Sequence, residues 1–199
     1  MAQLTFNVDF HVKIEICNSR SLQKNGGNTM KMHLQKSFYV ELKNAIRCHY
    51  NELLTRCGVD TIYGYSILTD DCVNSIGPVA NEERLIKVNK SDPLYNYYRY
   101  GAVEWSEWDD FGMFDEVKKI IKKYHNIVED DFNIRVNTLL KELVMCLWNL
   151  NQKDCLEIER IIDLLSFCYP DFFVRKSMIV SARLLNTLKT YEEYASEFA

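Results

Sequence analysis

Residues 4–16 alternate without a break. Leu4, Phe6, Val8, Phe10, Val12, Ile14 and Ile16 fall on one side, and Thr5, Asn7, Asp9, His11, Lys13 and Glu15 on the other. Side chains of an extended chain point alternately to two faces, so this period predicts a long strand with one buried face. Such a strand needs a sheet to pair with and an apolar layer to cover it. The polar stretch over residues 19–29, with Gly26-Gly27, reads as the loop that follows.

Periodicity then changes. Phe38, Leu42, Ala45, Ile46, Tyr50, Leu53 and Leu54 recur at three- and four-residue steps, which predicts a helix over about residues 30–56, with Gly58 at its C-cap. Residues 61–68 are β-branched and aromatic and read as a strand. A second strand near 72–76 would close a hairpin with it. Asn81 reads as the cap of a short helix through Glu82, Glu83, Leu85 and Ile86, and Asp92-Pro93 as a turn or helix start.

The remainder reads as mainly helical. Phe114, Val117, Ile120, Ile121 and Tyr124 form one stripe, and Phe132, Val136, Leu139, Leu140, Leu143, Val144, Leu147 and Trp148 a longer one. A further helix is expected to open at Asp154, with Glu157 completing a capping box, and to carry Leu156, Ile161, Leu164 and Leu165 up to Pro170. Residues 172–174 or 178–180 are candidates for a strand returning to the sheet, and a last short helix holds Tyr191, Tyr194 and Phe198. The expected fold class is therefore α+β: an antiparallel or mixed sheet packed with several helices, its C-terminal half mainly helical. One domain is expected over residues 1–199, with 1–28 as a strand-and-loop extension and 33–198 as the core.

The totals narrow the function classes. With 24 basic and 28 acidic residues the formal charge is −4, the opposite of the basic excess that marks a nucleic-acid-binding surface. No window reaches the roughly 18 apolar residues of a membrane span, and no leader pattern precedes the chain, so a cytoplasmic protein with no membrane partner is expected. The seven cysteines lack C-x-x-C spacing and read as reduced thiols acting as small core residues. Cys48-His49 with Cys57 has zinc-ligand chemistry but no fourth ligand at tight spacing. No metal or other cofactor is expected.

A set of motifs carries a resemblance. Tyr63-Gly64-Tyr65-Ser66-Ile67-Leu68-Thr69-Asp70-Asp71, then Asn81-Glu82-Glu83, then Tyr98-Arg99-Tyr100 leading to Glu104-Trp105, and finally Ser181-Ala182-Arg183-Leu184-Leu185-Asn186 before Tyr191-Glu192-Glu193-Tyr194 occur in that order. As a set they resemble a bacterial family known as a domain of unknown function and numbered forty-three-oh-three, over about residues 33–198. The stretch before it, and the segment 172–181, which lacks the family's acidic step, depart from the pattern. The resemblance implies no activity. It implies company: small bacterial α+β proteins of this kind sit beside delivered toxins and act as immunity proteins.

Residues 95–110 concentrate the side chains that dominate binding energetics: tyrosines, Trp105, Trp108 and Arg99, with Glu104, Glu107, Asp109 and Asp110 among them. Two readings stand. The aromatics fill the core while the acids cap the helix beginning near Gly112, or they form a recognition surface whose carboxylates attract a basic partner. Base stacking is disfavoured, because Arg99 is the sole cation among those acids. The leading expectation is a non-catalytic binding protein, an immunity protein for a cognate protein toxin, with a basic nuclease as one fitting target. Its contacts are expected at Tyr97, Tyr98, Arg99, Glu104, Trp105, Glu107, Trp108 and Asp109. The alternatives are an enzyme of unassigned reaction using Asp70, Asp71 and Glu104, and an oligomerising module whose 4–16 strand pairs across a homodimer.

Overall fold

The computed structural model describes residues 26–58, 61–128, 131–152, 162–167 and 172–198. The predicted 4–16 strand and the predicted helix start at Asp154 lie outside them. The fold is α+β, as expected, with a mixed sheet.

Helix α1 spans Gly26–Cys57 and buries Leu34, Phe38, Leu42, Ala45, Ile46, Tyr50 and Leu53 along one stripe. Already helical at Gly26, it takes in residues expected to be loop. Local propensity is a weak preference, and the apolar stripe that starts at Leu34 overrides it. At the other end Gly58 adopts φ +93°, and its N–H reaches the Leu54 carbonyl at 3.0 Å, the left-handed cap that glycine allows.

Strand β1 spans Ile62–Thr69 and is buried at every position. It pairs antiparallel with β2, Ile76–Glu82, and parallel with β3, Ile162–Phe167, giving the order β2-β1-β3. β2 begins at Ile76, later than the expected 72–76. The Asp70 carboxylate accepts from the amides of Cys72, Asn74 and Ser75 and from the Ser75 hydroxyl, which folds those residues into a closed turn. Asn81 belongs to β2 and caps nothing; its Nδ2 donates to the Tyr63 hydroxyl at 3.0 Å. Pro78 is tolerated because its nitrogen lies on the same edge as the Ala80 N–H, which points away from β1 toward Glu107.

Two further expectations are corrected. Residues 164 and 165 lie in β3, not in a helix; an apolar run this short fits either period, and the open edge of β1 supplies the ladder. The segments 172–174 and 178–180 are helical, inside α5, Phe172–Leu185.

A register shift between Ile62 and Gly64 turns Tyr63 to the opposite face from Tyr65. Tyr65, Ile67, Ile76 and Ala80 join the core formed with α1, α3 (Asp115–Ile127) and α4 (Phe132–Gln152). Tyr63, Leu68 and Val79 join a smaller core. It contains Tyr100 of α2 (Tyr95–Tyr100), Ala102, Trp105, Ala182 of α5 and Tyr194 of α6 (Leu188–Phe198). The sheet thus separates two helical layers, and residues 95–110 run across the second layer to the outer edge of β2. No helix among the described residues is long and apolar enough to cross a membrane.

Candidate protein-interaction surface

The first half of the 95–110 segment is built into the protein. Asp92 opens it, accepting from the Leu94 amide at 2.8 Å through its side chain and from the Tyr95 amide at 3.0 Å through its carbonyl. Tyr100 is buried, and its phenol donates to Glu193 on α6; burial and that carboxylate raise its pKa. Tyr97 stacks on Phe198 and donates to Glu104 at 3.2 Å. Arg99 lies 4.6 Å over the Tyr63 ring, with its guanidinium on Glu83 at 2.6 Å and on the Tyr95 hydroxyl at 3.1 Å.

The Arg99 carbonyl accepts from the Tyr63 phenol and the Trp105 indole, each at 3.1 Å. Burial pushes the Tyr63 phenol up to about 12, so it remains a donor at neutral pH. Trp105 is 2% exposed, with its six-membered ring against Gly64. The expected contact at Trp105 is therefore corrected: its indole packs onto the sheet and offers no face to a partner. Glu104 is also engaged, by Lys87 at 3.0 Å, and Lys87 lies 5.4 Å over Tyr98. These pairs leave the expected acidic ring largely neutralised at this end.

The second half differs. Glu107 forms an isolated bridge to the β2 edge, donating to the Ala80 carbonyl at 3.1 Å and accepting from its amide at 2.9 Å. Trp108, next along, is 48% exposed, yet its indole N–H donates to the Trp105 carbonyl, which fixes the ring's direction. On either side of it, neither Glu107 nor Asp109 makes an ion pair among the described residues. The Asp109 side chain accepts from the Phe111 amide at 2.9 Å, and Asp110 is tied to the Gly112 amide and to Lys118. The turn closes with Phe111 at φ +51° and Gly112 at φ +71°. Trp108, with Glu107 and Asp109 beside it in the chain, is thus where the segment presents a fixed apolar ring next to carboxylates that form no ion pair among the described residues, with Arg84 near enough to feel the Glu107 charge.

The sequence reading missed what lies under this turn. His49 is fully buried, its Nε2 on the Asp109 carbonyl at 2.9 Å and its Nδ1 on the Tyr65 hydroxyl at 3.0 Å. The signal was in the spacing, for His49 continues the α1 stripe of Leu42, Ile46 and Leu53. Another missed group is Glu82, buried at the end of β2 and bound by Arg84 through Nε at 2.9 Å and Nη2 at 2.8 Å.

Other candidate chemistry does not assemble. Both oxygens of Asp70 are occupied by its own turn. Glu104 sits by the Gly64 end of β1, about 20 Å along the strand from Asp70 at ~3.3 Å per residue, so those carboxylates do not converge. Cys48 is exposed while His49 points inward. Burial, and then the Glu82 and Glu107 carboxylates, hold the Cys57 thiol above its ordinary pKa, away from a nucleophilic thiolate. Among the described residues no group of His, Cys, Asp and Glu is arranged to hold a metal ion.

No curated protein and no solved structure matches the chain. The family model described as "Domain of unknown function (DUF4303)" matches residues 42–187, most of the chain and the whole 95–110 segment. The chain belongs to that family.

Proposed function

We propose that this chain is a non-catalytic binding protein of the bacterial cytoplasm, an immunity protein that neutralises a cognate protein toxin by direct contact. The observation that carries the reading is Trp108: a large aromatic ring, half exposed, held in one orientation, and flanked by carboxylates that lack ion pairs among the described residues. Tryptophan anchors of this kind concentrate interface energy, and an anchor already fixed in place loses little entropy on binding. Glu107 and Asp109 favour a cationic target, as the basic groove of a nuclease would be. Tyr98 and the outer part of Tyr97 extend the surface; Arg99, Glu104 and Trp105 support it from within.

Co-purification with the product of the adjacent gene tests the reading. A stable complex, and protection of cells that express that product, are expected. Trp108→Ala should weaken the complex on the order of 30-fold or more, the loss for an anchor worth about 2 kcal/mol, with unfolding unchanged. No complex together with no protection rejects the proposal.

A further inference from the structure

His49 joins three parts of the fold. A backbone carbonyl can only accept, so the contact with Asp109 puts the proton on Nε2 and leaves Nδ1 to accept from Tyr65. The neutral ring therefore ties α1 to β1 and to the turn that follows Trp108. It also stacks on Phe111 at 5.4 Å and meets Phe114 edge-on at 6.1 Å.

That turn is strained without support. Phe111 holds φ +51°, a left-handed conformation unfavourable for a bulky residue. Besides His49, it is held by Arg56 over the Phe111 ring, by Lys118 on Asp110, and by the Ala80–Glu107 bridge further back. α1 cannot yield to relieve a change at His49, since the residues along its stripe are fixed in the larger core.

We propose that His49 is a positioning residue for the Trp108 edge, and that its protonation opens the turn over residues 109–112 and unseats Trp108. A proton on Nδ1 reverses that bond, so that the Tyr65 hydroxyl must turn to accept, and places a charge among Tyr65, Phe111 and Phe114. Hydrating the imidazolium requires the covering turn to lift, and the Asp109 carbonyl then loses its donor. The bond to the Asp109 carbonyl favours protonation, as do the Asp110 and Asp109 charges of the turn, while Arg56 from α1 opposes it; Lys118 of α3 offsets Asp110. Burial outweighs them and holds His49 below the ordinary histidine value.

The sign follows. The closed state binds the proton less readily than the open one, so closure is fully favoured above about pH 6.5 and weakens as pH falls through the lowered value. Between the two midpoints the opening constant should rise by up to about tenfold per pH unit.

The consequence for affinity, weaker binding in acid, rests on Trp108 being the anchor; the opening itself is tested on the free full-length chain. NMR from pH 7.5 to 5 should show the Trp108 indole N–H and the amides of residues 109–112 moving with the His49 ring signals at one midpoint, with faster amide exchange, while the Trp148 indole on α4 stays. In His49→Gln the pH response of Trp108 should vanish. The inference fails if His49 titrates while Trp108 stands still, if the response persists in His49→Gln, or if all signals are lost in one global unfolding. The wild-type titration decides the matter even if the variant does not fold. Opening in a chain that captures no partner would reject the binding reading alone.

Discussion

At the scale of single residues, the contact between Gly64 and Trp105 determines where the 95–110 segment can lie. A Cβ built on Gly64 would stand 2.6 Å from Cη2 and 2.8 Å from Cζ2 of the indole, distances no packed pair adopts. Gly64→Ala must therefore push Trp105 off the sheet, away from the Arg99 carbonyl that its N–H now reaches. Overpacking of this kind costs about 1–3 kcal/mol. Urea denaturation should show that loss in wild type and a much smaller one in a Trp105→Ala background, since the two changes act on one contact. Equal losses in both backgrounds would mean the contact is absent. The same pair shows what a string of letters conceals. Trp105 and Trp108 are three apart in near-identical acidic surroundings, yet one faces the core and the other solvent. The segment has neither a helical nor a strand period there, so no pattern assigns sides. Its direction is set by a bridge to Ala80 and a buried histidine some sixty residues earlier.

At the scale of elements, the long amphipathic pieces were legible because burial of one face repeats at a fixed step. α1 and α3 follow their predicted stripes, and α4 follows its own from Val136 to Leu147, while Phe132 and Trp148, predicted for the same stripe, are exposed. The failures fall where a side chain replaces the backbone as hydrogen-bond partner, or where a run is too short to show its period. The hairpin after β1 is the first kind. Asp70 draws the amides of Cys72, Asn74 and Ser75 to itself, and Val73 takes φ +53° with its side chain buried, an unfavourable state for a β-branched residue. His125 braces the loop from α3 with its Nε2 on the Val73 carbonyl at 3.1 Å. Asp70→Ala removes the acceptor and should destabilise the fold by about 1–3 kcal/mol, read as an earlier urea midpoint at unchanged slope. Since Asp70 lies at the far end of β1 from Trp108, partner capture at temperatures below the transition should be unaffected. Lost capture by folded Asp70→Ala would return Asp70 to the candidate site. β3 is the second kind of failure: its pairing with β1 is parallel and distant in sequence, and nothing local announces it.

At the scale of the whole molecule, the sheet ties two unequal cores, with β1 and β2 each contributing to both. Tyr65 and Ile67 of β1 point into the larger core, Tyr63 and Leu68 into the smaller, and every residue of the strand is buried. Loss of either layer would expose the opposite face of a strand the remaining layer needs, so neither layer has a complete interface alone. The smaller core is further bound to the edge of β2 through the Ala80–Glu107 bridge and to α6 through Tyr100 and Glu193. From this sharing we expect one cooperative transition. Near-ultraviolet dichroism should follow the packed aromatics, Trp105, Tyr100 and Tyr194 of the smaller core included. Far-ultraviolet dichroism follows the helices, most of whose described length belongs to the larger core. The two signals should share a midpoint and slope in urea. A near-ultraviolet change that precedes the helical one would show that the smaller layer detaches while the larger stays folded. Trp108 would then be carried on a separable unit, and its rigidity, on which the binding proposal depends, would be a property of that layer alone.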